Sequence, residues 1–184
     1  MPTRKLIVGI GGTLRAGSST EACIQRVLKY AEEFGAETRL FSGKAIDFPM
    51  YAPGQEQQSP QVTTLLTSLR TADGIVIGSP GYHGGISGLV KNALDYTEGM
   101  AKDAKPYFYG KRIGCVATGS GWQGCNATLQ ALRNVVHSLR GWPTPLGIAV
   151  NTKEPAFNKD GEALAPELDL QLRLMARQVM AFDD

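Results

Sequence analysis

Gly74-Ile75-Val76-Ile77-Gly78-Ser79-Pro80-Gly81-Tyr82-His83-Gly84-Gly85-Ile86-Ser87-Gly88 is the stretch on which the reading of the fold turns. Its first five residues form a short β run with no polar interruption. Such continuity marks a strand buried on both faces, as in a parallel sheet covered by helices. The glycine-rich turn that follows opens onto a helical pattern over residues 89–100. A strand, a glycine loop and a helix start make up the repeating unit of α/β domains, which bind ligands beyond the carboxyl ends of their strands.

Working outward, the same unit recurs on both sides. Residues 6–10 read as a first strand, 11–19 as a Gly/Ser loop, and 20–34 as a helix with Ile24, Val27, Leu28 and Ala31 on one face and Gly35 as its stop. A second strand is predicted over 37–41. The stretch 44–60 is irregular, with three prolines and a polar run at 55–58. A loop that long inside a compact domain is more often functional than idle. A helix over 61–72 precedes the third strand, 74–78. Beyond residue 100 the pattern predicts a fourth strand over 112–117, a third glycine loop over 118–124 and a helix over 126–140. A fifth strand over 145–150 and a last helix over 166–182 complete it. Right-handed crossovers leave few topologies. The expected architecture is α/β: a flavodoxin-like three-layer sandwich with a five-stranded parallel sheet of order 2-1-3-4-5, in a single domain over 1–184.

Composition bounds the function. The chain of 184 residues is 42% apolar and 20% charged, ordinary for one globular domain. A net charge of +2 without any long Lys/Arg run argues against nucleic acid as a partner. No apolar stretch approaches the roughly 20 residues of a membrane helix, and the start of the chain lacks the apolar core of a signal peptide. Cys23, Cys115 and Cys125 are odd in number and lack CxxC spacing, so reduced thiols in the cytoplasm are expected rather than disulfides or a metal site.

In the expected strand order the three glycine loops follow adjacent central strands and meet at one rim. The first, Gly11-Gly12-Thr13-Leu14-Arg15-Ala16-Gly17-Ser18-Ser19-Thr20, offers amides, four hydroxyls and a guanidinium just before a helix start. That is the chemistry of a phosphate site, although Ser18, Ser19 or Thr20 could instead only cap the helix. It lacks the Gly-Lys-Ser/Thr ending of a P-loop and the third glycine of a dinucleotide fingerprint. The four glycines between 81 and 88 let a flat ring approach the backbone, with Tyr82 as an apolar wall. The third loop, Thr118-Gly119-Ser120-Gly121-Trp122-Gln123-Gly124, could close over the other edge of that ring, with Trp122 packed on the ring or on the core.

Together the loops resemble those of the NAD(P)H-dependent FMN reductase family. The family's Gly-Ser-x-Arg-x-x-Ser-x-Asn stands here as residues 12–20. Its Thr-Pro-Glu-Tyr-Asn-Gly-Ser-x-Pro-Gly-x-Leu-Lys-Asn-Ala-x-Asp stands as residues 79–95. The resemblance implies that Thr13, Arg15, Ser18, Ser19 and Thr20 hold an FMN phosphate. By the same token Pro80, Gly81, Tyr82, His83 and Gly84 line the isoalloxazine, and Ser120, Gly121 and Gly124 close the far side. It implies NADPH or NADH as co-substrate and hydride passage through FMN to a small acceptor by ping-pong kinetics. A cytoplasmic homodimer or homotetramer is expected, with residues 89–109 as a contact region. This chain departs from the pattern with Gly81 in place of Glu and His83 in place of Asn. Residues 97–109, longer than usual, bring Tyr107, Phe108 and Tyr109 to the substrate mouth or to a subunit contact. No catalytic constellation stands out. His83 is a candidate proton donor, since an unperturbed imidazole titrates near pH 6.5; the alternative is a loop histidine with a structural bond. A flavodoxin-like electron carrier and a non-catalytic flavin-binding module are the competing readings.

Overall fold

A computed structural model describes residues 4–54 and 59–180. The polar run at 55–58 and the predicted end of the last helix at 181–182 lie outside the described residues. Strands β1 (Leu6–Gly11), β2 (Glu37–Ser42), β3 (Gly74–Tyr82), β4 (Gly85–Ile86), β5 (Arg112–Gly119) and β6 (Trp142–Asn151) alternate with helices. The helices are α1 (Ser19–Glu33), α2 (Pro60–Thr71), α3 (Gly88–Asp95), α4 (Trp122–Ser138) and α5 (Pro166–Met180). The parallel order is β2-β1-β3-β5-β6, with the two-residue β4 paired only to β3. This is the expected 2-1-3-4-5 arrangement with one small hairpin inserted. Register runs Leu6↔Glu37, Ile7↔Gly74 and Gly74↔Arg112, and a shift between Ile113 and Cys115 marks an irregularity against β6.

Alternate strand residues feed two cores. On one face Val8, Ile10, Ile75, Ile77 and Ile113 are fully buried against α2, α3 and α4 through Leu65, Leu69, Val90, Leu132 and Val136. On the other, Ile7, Val76, Val116 and Ile148 meet Ile24 and Val27 of α1 and Leu172 and Met175 of α5. Both faces are covered, so both strand registers must be apolar, and each fully buried aliphatic side chain contributes roughly 1.5–3 kcal/mol.

Local chemistry sets the helix ends near the cleft. Ser18 caps α1: its hydroxyl oxygen accepts the Glu21 amide at 3.2 Å. The chain leaves α1 through amides of Gly35 and Ala36 that donate to Glu32 and Ala31. Ser87 caps α3 in the same way, accepting from the Val90 amide.

Four boundaries differ from the sequence reading by three residues or more. β3 continues to Tyr82 because Ser79 and Pro80 still pair with Ala117 and Thr118 of β5, after which Gly81 and Tyr82 pair with β4. The α3 helix stops at Asp95 and tightens into a 3-10 segment, Tyr96–Met100. The α4 helix starts at Trp122, four residues earlier than predicted, since the Cys125 amide donates to the Gly121 carbonyl and closes a first turn there. The third glycine loop is correspondingly short. Finally, β6 begins at Trp142 rather than 145.

Residues 101–111 run beside the amino end of the sheet. The Phe108 amide donates to Leu139 at the end of α4, and Lys111 Nζ to Ala72 at the end of α2. Phe108 is fully buried, and the Tyr107 hydroxyl donates to Glu98. These aromatics therefore stand at the end of the sheet opposite the glycine loops, which excludes the substrate mouth among the two placements the sequence left open.

Candidate functional site

The loops after β1, β3 and β5 converge at the carboxyl edge of the sheet and line one cleft of about 1040 Å³. Backbone bonds hold them in place. The Gly12 amide donates to Gly78 of β3 at 3.2 Å, tying the first loop to the strand that carries the second. The hydroxyls of Thr20 and Thr118 stand 2.6 Å apart, both buried, joining the start of α1 to the end of β5.

The donors of the first loop divide into two groups. Thr13 folds the loop on itself: its hydroxyl accepts the Arg15 amide at 3.1 Å and donates to the Arg15 carbonyl at 3.0 Å. The Thr20–Thr118 pair uses one hydroxyl hydrogen and leaves the other uncommitted. Ser18 accepts as the cap and keeps its hydrogen. The amides of Ser19 and Thr20 belong to the first turn of α1 and have no intrahelical partner. The exposed Arg15 guanidinium forms no ion pair among the described residues. One end of the cleft thus presents free donors, a helix N-terminus and a cation, the requirements of a dianionic phosphate.

The other end is less polar. Pro80, Gly81, Tyr82, Gly88 and Leu89 line it, and Ser120 and Gly119 approach from β5. A side chain on Gly88 would meet nothing within 4 Å, so the backbone there faces open space. Of the residues expected at the site, Thr13, Arg15, Ser18, Ser19, Thr20, Pro80, Gly81, Tyr82 and Ser120 line the cleft together. His83, Gly84, Gly121 and Gly124 stand beside that lining, not in it.

The reasons are local. His83 and Gly84 form the two-residue turn between β3 and β4, with φ of 52° and 83°. Two positive φ values are what a type I′ hairpin turn demands, and Asn-Gly is its preferred pair. Histidine is among the few side chains enriched at such backbone angles, so the residue at 83 is accounted for by the turn. Gly81 answers a packing constraint: a Cβ there would lie 2.5 Å from Thr128 Oγ1 of α4 and 3.3 Å from the Gly124 carbonyl. Trp122 is the first residue of α4 and lines a neighbouring cavity instead.

The sequence reading missed Thr152, Lys153, Glu154 and Pro155, which follow β6 and complete the cleft wall. They carry no glycine signature. Their position beyond the carboxyl end of another parallel strand was the available clue. Lys153 and Arg15 are the two cations of the lining.

The cysteines are held as protonated thiols by burial. All three are free and buried. Burial pushes the Cys23 thiol far up and the Cys115 thiol to about 12. Cys125, beside the cleft, is also raised by burial, and its thiol donates to the Val150 and Gly119 carbonyls. No described helix is long and apolar enough to cross a membrane, and no metal-holding cluster occurs among the described residues.

The sequence profile of the NADPH-dependent FMN reductase family matches residues 6–155, most of the chain. The chain belongs to this family. It is thereby an oxidoreductase that works with FMN and NADPH. Over 178 residues it is 28% identical to an FMN-dependent NADPH-azoreductase of Staphylococcus aureus, covering 93% of this chain and 91% of the relative. Among solved structures it is similar to an NADH:FMN oxidoreductase (TM-score 0.70, 19% identity, 97% and 91% of the two chains). It is also similar to the NAD(P)H:acceptor oxidoreductase FerB of Paracoccus denitrificans (TM-score 0.73, 18% identity, 96% and 97%). At those identities the likeness speaks for the fold. The donor set at the start of α1 suits the phosphate of FMN, and the less polar wall after β3 leaves room for its ring.

Proposed function

We propose that this reductase passes hydride from NADPH to a small acceptor, such as a flavin, a quinone or an azo compound, with both half-reactions in the one cleft and hence ping-pong kinetics. FMN, when bound, supplies the hydride chemistry. The chain's residues bind, orient and exclude. Arg15, the hydroxyls of Ser18 and Ser19 and the first amides of α1 hold the phosphate. Thr13 and Thr20 shape that cradle, Thr13 through its bonds to Arg15 and Thr20 through Thr118. Pro80, Gly81 and Tyr82 form the wall for the flat ring. His83 and Gly84 set the hairpin that carries Tyr82. Ser120 closes the far side, Gly121 makes the positive-φ turn into α4, and Gly124 leaves open space on the first turn of that helix. No side chain is assigned a proton-transfer role. We also propose a cytoplasmic homodimer or homotetramer.

One observation carries the reading: three separate loops, far apart in the chain, line a single cleft with hydroxyls, helix amides and a guanidinium at one end and Pro80, Gly81 and Tyr82 at the other. The test is FMN added to the purified protein and followed by fluorescence quenching, then anaerobic NADPH with the flavin absorbance monitored. Saturable quenching and bleaching are expected. In Arg15→Ala, FMN affinity falls by about 1.5–3 kcal/mol through the lost charged bond. Unchanged affinity would remove Arg15 from the phosphate site, and a protein that binds no FMN would end the proposal.

A further inference from the structure

Beside the main cleft lies a second cavity of about 500 Å³ between the end of β6 and the starts of α4 and α5. Trp122, Pro155, Leu164 and Leu168 form its apolar wall. It joins the main cleft through Glu154 and Pro155, which line both. None of the residues assigned to FMN lines it. Trp122 is 60% exposed and Leu164 57%. Large apolar side chains left to water around a concavity mark a place for a ligand.

Charge decides the class of that ligand. The charged groups of the lining are Glu154 and Glu167, and no Lys, Arg or His accompanies them among the described residues. A phosphate or sulfonate there would face two carboxylates, while the nearby cation Lys153 belongs to the lining of the main cleft. A flat aromatic group can pack on the indole, and a positive charge on it gains from both carboxylates and from the indole face. We infer that this groove is an acceptor subsite, which takes the outer ring of an elongated, cationic aromatic acceptor whose reducible bond lies in the main cleft. The inference deepens the reductase reading and rests on it for the reduction, but not for the binding.

The experiment separates the two. Trp142→Phe leaves Trp122 as the sole indole of the chain. Its emission is titrated, without NADPH, with 4-(trimethylammonio)azobenzene and in parallel with azobenzene-4-sulfonate. Saturable quenching is expected, with the ammonium dye bound about three- to tenfold more tightly. Glu167→Lys, added to the same background, inverts that order. With the FMN-loaded enzyme, Glu167→Lys raises KM for the ammonium dye by a similar factor and leaves kcat in place. Equal quenching by the two dyes, or a preference that survives Glu167→Lys, would overturn the inference. So would Trp122 emission that neither dye alters, as when another copy of the chain covers the groove. Intact dye discrimination without flavin bleaching by NADPH upholds the groove and removes the reductase reading.

Discussion

Gly81→Ala tests how the wall after β3 is built. The added methyl would sit 2.5 Å from Thr128 Oγ1, closer than any real Cβ contact, and 3.3 Å from both Thr128 Cβ and the Gly124 carbonyl. Thr128 is fully buried, and its hydroxyl donates to the Gly85 carbonyl at 3.2 Å. Threonine in a helix has two accessible χ1 rotamers, so the clash is relieved by rotation. Rotation breaks the bond to Gly85, worth about 1 kcal/mol net. The remaining tight contacts with the helix add overpacking at the low end of about 1–3 kcal/mol. The expected destabilisation is about 2 kcal/mol, a fall of about 4–8 °C in Tm for a domain of this size. Urea denaturation and thermal scans of Gly81→Ala, Thr128→Ala and the double variant form the assay. Because the two positions touch, the cycle should show coupling, with Gly81→Ala costing less than about 1 kcal/mol in the Thr128→Ala background. A neutral Gly81→Ala, or strictly additive variants, would refute the claim that α4 dictates glycine at this position.

Three other outcomes follow from named contacts. Thr20→Val or Thr118→Val leaves one buried hydroxyl of the 2.6 Å pair without its partner, at a cost of about 1–3 kcal/mol in urea denaturation, while the double variant recovers much of it; additive losses would count against the pairing. His83→Asn keeps the positive-φ turn and FMN affinity, whereas His83→Val costs about 1–2 kcal/mol; loss of turnover in His83→Asn with FMN still bound would make the imidazole chemical rather than conformational. Asp169 lies between α1 and α5, accepting from Arg26 Nε at 2.9 Å and from the Tyr30 hydroxyl at 2.6 Å. Burial pushes its carboxyl up, but those bonds and the nearby cations outweigh it and hold it below the ordinary value. A depressed folded-state pKa contributes stability that is present above the unfolded-state pKa, near 3.9, and is lost as pH falls through the folded-state value. Wild-type Tm should therefore drop more steeply below about pH 4 than that of Asp169→Asn, and parallel acid slopes would refute the assignment.

The sheet was legible because its signal is redundant. Leu6 to Ile10 and Gly74 to Gly78 are apolar at every position outside the glycines, and only a strand covered on both faces needs that. Strand ends were less legible, because pairing and not hydrophobicity extends them. Pro80 continues β3 through its partner Thr118, and nothing in the local sequence announces Thr118. The start of α4 was hidden for a related reason. Trp122, Gln123 and Gly124 look like loop beside two glycines, yet the bond from the Cys125 amide to the Gly121 carbonyl closes a helical turn over them. In the cleft, the glycine loops could be read directly, whereas Lys153 and Glu154 could not. Their place depends on where β6 ends relative to its neighbours, a property of the assembled sheet.

Two departures from the family pattern, Gly81 and His83, look independent in the sequence and are joined in the structure. Gly81 and His83 flank Tyr82 in one hairpin, and that hairpin leans on α4: Gly81 against Thr128 and Gly124, and Gly85 through its carbonyl to the Thr128 hydroxyl. A carboxylate side chain at 81 would need the space that α4 occupies here, so glycine and the close helix belong to one packing solution. His83 then needs only to tolerate a positive φ, which asparagine also does. Neither change removes a donor from the proposed phosphate end, where Arg15, Ser18, Ser19 and the first amides of α1 are intact. Both act on the position of Tyr82, which remains 57% exposed on the cleft wall. The expected consequence is altered contact with the ring and with the acceptor, not loss of the anion site. Affinity for FMN and choice of acceptor should therefore vary separately when the hairpin is changed.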